Sequence, residues 1–390
     1  MTALRTHAVT LPGTRSLAPH RGEWLALAAA LVAFALAAWL GHDVAGLVLQ
    51  GYLVGWLFCL ALPLGCMTLS SIHVLTGGRW GRALAPDLRA GAGVLPLLGL
   101  LWLPLLLGMS MLLPWTSAVH EHGRRLPHWY LNASFQWTRS LLCLALWLGM
   151  AWRQRRWHRG VPPQRQPLAE QAVAGVSLLL LLLTISITGV DWIMALVPRW
   201  HSTALGMLLM TSFITIALAL AVALWTRRAP RPASPDADTL QLRRDGGNLL
   251  LAAVLGWAYL AFMDYLTAWI GDLPSETVWY LPRLQWPWSP LPIALLVLHL
   301  GVPMALLLPR WGKQNLRVLA AVAVLVALMQ FVNLTWLVLP GVRPAGSPWV
   351  ASDALVWLGF ALCLVTAWRV LRRGQEHATH HQGQAEREQA

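Results

Sequence analysis

The feature that most constrains this chain is a recurrence of apolar runs, each near the ~20 residues that a helix needs to cross a bilayer. Ten such runs lie at about 23 to 41, 50 to 75, 91 to 113, 130 to 152, 171 to 190, 201 to 226, 247 to 270, 290 to 309, 316 to 340 and 350 to 371. They are continuous rather than alternating, so they predict helices and not a membrane β-barrel. Of 390 residues 57% are hydrophobic and only 12% charged, about half the usual share of charge, which excludes a water-soluble domain of this size. The expected fold class is therefore all-α integral membrane with ten transmembrane helices. Its parts are a tail at 1–22, a membrane domain at 23–371 with a loop at about 227–246, and a disordered tail at 372–390.

Basic residues orient the expected helices, because Lys and Arg are retained on the cytoplasmic side. Of the 29, 23 fall in the two tails and the even-numbered loops, among them Arg79, Arg82, Arg89, Arg153, Arg227, Arg228, Arg310 and Lys313. The odd-numbered loops hold Arg124, Arg125, Arg199, Arg283 and Arg343, and Arg139 lies within a helix. Both termini are thus expected in the cytoplasm. This asymmetry accounts for the +13 net charge better than nucleic acid does, so no nucleic-acid partner is expected and the lipid bilayer is the first partner. The loop RRAPRPASPDADTLQLRRDGG reads as a plain linker between helices six and seven. The basic N-terminal segment has no apolar core of its own and no clear cleavage site follows it, so no removed signal peptide is expected.

Several common chemistries lack their residues. Cys59, Cys66, Cys143 and Cys363 sit in apolar stretches without CxxC or CxxCH spacing and read as small buried residues. No phosphate-binding glycine loop and no HExxH string occurs. The tail histidines His377, His380 and His381, and the loop residues His120, Glu121, His122 and His128, read as solvated rather than metal-bound. Several of the 24 tryptophans fall near expected helix ends (Trp24, Trp129, Trp152, Trp200, Trp279, Trp286, Trp288, Trp349, Trp368), where they would anchor at the headgroups.

Ionisable side chains inside hydrocarbon are costly, so each is a functional candidate or half of a structural pair. Arg139 lies about 13 Å from the external end of helix four, Asp264 about 10 Å below the same surface and His299 near the depth of Arg139. Asp191 ends helix five on that side, and His73 lies toward the opposite surface. Two readings stay open: a proton relay among Arg139, Asp191, Asp264 and His299, or an Arg139 carboxylate pair that only locks helices, with Asp264 the partner nearest in depth. Ser70, Ser71, Thr211, Ser212 and Thr215 read as helix-to-helix glue. Axial haem ligation is not expected, because only His299 is well inside the core.

Four strings carry a resemblance: GWLFCLALPLGCMTLSSIHVLTGGRWG, YLNASFQWTR, DWIMALVPRWHST and YLAFMDYLTAWIGDLPSETVWYLPR. Together they resemble, in order over much of residues 50 to 285, the F-type membrane subunit (ActF) of alternative complex III, in the superfamily of NrfD and polysulfide-reductase membrane subunits. His73 matches the first histidine of a family pair and Val74 replaces the second. Ala195 stands where Ser is usual, Asp264 where Gln is usual and Asp272 where Asn is usual. The resemblance implies ten helices as two four-helix bundles plus two peripheral helices, in a bacterial inner membrane. It implies no cofactor in this chain. Quinol, haem c and iron–sulfur clusters would belong to partners: a C-type quinol-oxidising paralogue, an iron–sulfur subunit, multihaem cytochrome subunits and a terminal oxidase. The implied role is assembly of a respiratory quinol:electron-acceptor oxidoreductase, with proton movement as an added part. The alternative is a freestanding quinone-binding or proton-conducting membrane protein, and solute transport ranks third, for want of an internal repeat.

Overall fold

A computed structural model of the protein describes residues 20–116, 120–121, 124–125, 129–157, 168–229, 235–343 and 350–389. Its long helices are α1 (Arg21–Leu40), α2 (Ala45–Thr76), α3 (the broken span Arg79–Leu107), α4 (Ala133–Trp157), α5 (Leu168–Trp192), α6 (Leu205–Arg228), α7 (Ala237–Gly271), α8 (Pro290–Leu307), α9 (Leu316–Val338) and α10 (Ala351–Gln389). Among the described residues nine helices are long and apolar enough to cross a membrane, so this is a multi-pass all-α membrane protein. The remaining long helix, α4, has 25 residues, but Gln136, Arg139, Arg153, Gln154 and Arg155 dilute its apolar character. Leu25, Leu31, Leu141, Leu179, Leu183 and Leu328 stand more than half exposed on the outside of the bundle, a surface suited to acyl chains rather than to water.

Helices α2, α3, α4 and α5 pack together, as do α6, α7, α8 and α9, while α1 lies along α10 at the side. The two groups meet chiefly where α2 crosses α6. Gly65 permits that approach: a Cβ there would fall 2.1 Å from the backbone oxygen of Phe213.

Side-chain bonds sort the helix ends into two faces. Arg79 bonds Asp238 at 2.8 Å, Arg228 pairs with Asp87, Arg373 pairs with Glu23, and Lys313 donates to Asn248 at 2.6 Å. These residues of α1, α3, α6, α7, α8–α9 and α10 form an arginine-rich face, so the beginning of α1 and the later part of α10 lie on one side. On the arginine-poor face, Arg343 forms a two-pronged pair with Asp353 at 2.6 and 2.8 Å, with Gln50 and the Leu47 carbonyl as further acceptors.

Local chemistry explains the breaks. In α3, Trp102 N–H bonds back to Gly99 and Leu105 N–H to Trp102, leaving the carbonyls of Leu98 and Leu101 without their α-helical donors. Side chains of α2 take them: Trp56 Nε1 donates to Leu98 at 3.2 Å and the Tyr52 hydroxyl to Leu101 at 2.9 Å. In α8, Pro303 removes the N–H that would meet the carbonyl of His299, and residues Leu295–Gly301 form a π-turn. The GDLPSE string is turn chemistry: Asp272 ends α7 in the left-handed region (φ 44), and Pro274 opens the short helix Pro274–Tyr280.

Three sequence expectations are corrected here. The linker is shorter than 227–246, because Asp236 caps α7 by accepting from Thr239 N–H at 2.9 Å and places Arg243 and Arg244 inside the helix. The tail 372–390 was expected to be disordered, yet α10 continues to Gln389; extending a formed helix adds one bond per residue, and Ala, Gln, Glu and Arg favour it. Of the anchoring tryptophans, Trp24, Trp129, Trp152 and Trp286 are exposed, but Trp200, Trp279 and Trp288 are buried. Trp200 and Trp279 stack at 4.6 Å, since an indole near a helix end also fills an interhelical gap. Trp349, His122, His128 and the side chains of His377, His380 and His381 lie outside the described residues.

Candidate functional site

Arg139 and Asp191 are joined, on α4 and α5. The guanidinium grips the carboxylate in two prongs, Nη2 to Oδ1 at 2.7 Å and Nε to Oδ2 at 3.1 Å, with both residues buried. The third nitrogen donates to the Tyr130 carbonyl at 3.0 Å, and the rings of Tyr130 and Phe135 lie 3.8 and 4.4 Å from the guanidinium carbon. Every strong direction of this cation is therefore answered within the first bundle. This is the helix-locking arrangement.

Asp264 is not the partner of Arg139, which corrects the pairing expected from depth. It lies in the second bundle, where the Ser202 hydroxyl donates to Oδ1 at 2.7 Å and the Tyr280 hydroxyl to Oδ2 at 2.9 Å. Ser202 is itself oriented, because its oxygen accepts from Leu205 N–H at 3.1 Å at the start of α6. Burial and the neighbouring carboxylate push the Tyr280 hydroxyl upward from its ordinary value, so it stays a proton donor. Three residues further along, Arg283 is fully buried and donates to the carbonyls of Trp336 at 3.1 Å, Leu337 at 2.7 Å and Trp279. These are last-turn carbonyls of α9 and of Pro274–Tyr280, the negative ends of two helix dipoles, and they offset the burial that works against the arginine charge.

His299 stands apart from both carboxylates. Its Nε2 lies 3.0 Å from Gln330 Nε2, its ring meets Trp257 edge-on at 4.5 Å, and Nδ1 has no partner. Asn333 extends this chain, donating to Gln330 Oε1 at 3.2 Å and to Ser212 Oγ at 3.3 Å, so α6, α8 and α9 share one buried polar string. His73 is buried elsewhere, with Nδ1 at 3.0 Å from the Gly77 carbonyl and Trp80 beside it. The relay of four groups expected from depth is thus divided between two bundles. Ser70, Ser71, Thr211 and Thr215 bond carbonyls one turn back in their own helices; Thr215 also reaches Ala253 O on α7 and Ser71 accepts from Gln154.

Two cavities flank the Asp264–Tyr280 bond. One, of about 320 Å³, is bordered by His201, Ser202, Thr203, Tyr259 and Glu276. The other, of about 460 Å³, is walled by Trp257, Trp279, Trp336, Phe262, Leu295 and Asn333, among others. Asp264 and Tyr280 line both. Among the described residues no group of three or more His, Cys, Asp or Glu is placed to hold a metal ion.

Sequence reasoning missed Ser202, Tyr280, Gln330 and Asn333: Ser202 and Tyr280 fall in or beside expected loops, and the amides carry no charge to mark them. Gln330 and Asn333 stand three apart in the apolar α9, hence on one face, and that spacing was the available signal. No family model and no curated protein matches the chain. The class that fold and site define is a multi-pass helical membrane protein with an arginine–aspartate lock in one bundle and a carboxylate between two cavities in the other.

Proposed function

We propose that this chain is a cofactor-free membrane subunit of a bacterial respiratory quinol:electron-acceptor oxidoreductase, akin to the F-type subunit of alternative complex III. It spans the inner membrane ten times with both termini in the cytoplasm. Its work is to hold the assembly together, with proton movement near Asp264 as an added part. One observation carries the reading: three strings on which the resemblance rests are bonded to one another. Arg139 of YLNASFQWTR holds Asp191 of DWIMALVPRWHST, and Ser202 of that string holds Asp264 of the next. The packing of α2–α5 and of α6–α9 into two groups, with α1 and α10 aside, also agrees with the architecture that the resemblance implies.

The reading is tested by isolating the tagged chain from native membranes in mild detergent. Haem c and iron–sulfur proteins, including a quinol-oxidising paralogue, should copurify, and the chain separated from them should show no haem absorption. A stoichiometric haem band in the homogeneous chain, or its isolation without redox proteins from membranes active in quinol oxidation, would overturn the reading. A second reading, a freestanding quinone-binding protein, is favoured by the aromatic cavity beside Asp264 and predicts that second outcome.

A further inference from the structure

A third cavity, which shares no residue with the two beside Asp264, lies between α4 and α5. It holds about 540 Å³ and is lined by Leu142, Leu146 and Met150 of α4 and by Val173, Val176 and Leu180 of α5, among others. No aromatic residue and no acid is in this lining, and the Ser177 hydroxyl within it already donates to the Val173 carbonyl at 2.8 Å. At Gly149 a Cβ would meet nothing within 4 Å, so the floor is open there. Leu142 and Val176 are 59 and 56% exposed, which puts the mouth on the lipid-facing side. Of the described residues that line this groove, Arg153 bears the one charge. Arg153 is half-buried and has, among the described residues, neither an ion-pair nor a hydrogen-bond partner. Its neighbour Gln154 donates to the Met67 carbonyl at 3.1 Å and the Ser71 hydroxyl at 3.0 Å near the end of α2, so this end of the groove lies toward the arginine-rich face. From Arg153 to Leu142 α4 rises about 16 Å, close to half of the ~30 Å hydrocarbon core. The groove therefore runs from headgroup level on that face to the middle of the membrane.

We propose that this groove binds an anionic phospholipid of the leaflet on the arginine-rich side, with one acyl chain between α4 and α5 and the phosphate on Arg153. Charge selects the headgroup: an arginine that its own chain leaves unpaired favours a lipid of net negative charge over a zwitterionic one, whose ammonium opposes it. An aliphatic wall with an open floor takes a flexible chain and gives a planar ring nothing to stack on. A soluble anion would gain the arginine without burying any apolar surface, so the groove adds affinity only for a lipid. The inference uses the groove and its arginine alone and does not rest on the respiratory reading.

Native mass spectrometry of the purified full chain in a neutral detergent tests it, with phosphatidylglycerol and phosphatidylcholine of identical chains added in turn. The wild type should hold one phosphatidylglycerol about fivefold more tightly than phosphatidylcholine. Arg153→Gln should lose that preference and Arg153→Lys should keep most of it, whereas Arg317→Gln, at the start of α9 on the same face, should change nothing. Gly149→Leu, which fills the floor with a better helix former, should remove the tight site for both lipids. Val176→Phe fills the groove from α5 and takes its place if that variant does not fold. Inorganic phosphate should not displace the bound lipid. Equal affinity for the two lipids in the wild type, a preference unaltered in Arg153→Gln, or tight binding unaltered in the filled grooves overturns the proposal. Displacement by inorganic phosphate overturns it by showing a plain anion site, and a preference lost equally in Arg317→Gln does so by showing diffuse surface charge.

Discussion

Replacing Asp191 by Asn removes the charge that faces Arg139 while nearly preserving shape. The two side chains are 3% and 9% exposed, so the guanidinium left behind is a buried cation without its counterion. Loss of one partner from such a pair costs about 3 to 5 kcal/mol. Part of that is offset here, because the Tyr130 carbonyl still accepts at 3.0 Å and two aromatic faces remain, worth about 1 kcal/mol together. The expected loss is therefore about 3 kcal/mol, visible as a lower unfolding midpoint in detergent titrations of the reconstituted protein. An Arg139→Met/Asp191→Leu variant removes both charges and should return to within about 1 kcal/mol of wild type. An Asp191→Asn loss below about 1 kcal/mol, or a double variant as unstable as the single one, would refute the view that this pair locks α4 to α5.

Asp353→Asn should be at least as damaging, about 3 to 5 kcal/mol in the same titration, because Arg343 is fully buried and tied in two prongs to that carboxylate. Asp264→Asn should cost only about 1 kcal/mol and leave assembly intact, since its two partners are neutral hydroxyls that can turn to suit an amide; thermal melting measures this. A reporter fused at residue 235, between α6 and α7 on the arginine-rich face, should report cytoplasm, and an external signal would overturn the orientation.

Hydropathy and charge made much of the architecture legible. Length and composition mark the helices one by one, and the alternation of arginine-rich and arginine-poor loops anticipates the grouping seen in the Arg79–Asp238, Arg228–Asp87 and Arg373–Glu23 pairs. These are local properties: whether a segment enters a bilayer depends on its own transfer free energy and on the charges beside it. Asp236 before α7 and the Gly-Asp-Leu-Pro turn after it are local in the same sense, although the linker between α6 and α7 is shorter than expected because Arg243 and Arg244 are helical.

What sequence alone supplied, then, was an expected depth along the membrane normal, read as residue number times helical rise. Which groups meet at a given depth depends on the angle each takes around the bundle, and only packing sets that. Arg139 and Asp264 are expected within a few Å of one another in depth but belong to different bundles, so Asp191 takes the arginine and Ser202 and Tyr280 take Asp264. Trp279 and Trp286 are close in sequence near one helix end, yet one is 2% and the other 78% exposed, because tertiary neighbours surround only the first. The cavities arise in the same way, from how α6, α7, α8 and α9 fit side by side, a relation that no single segment encodes.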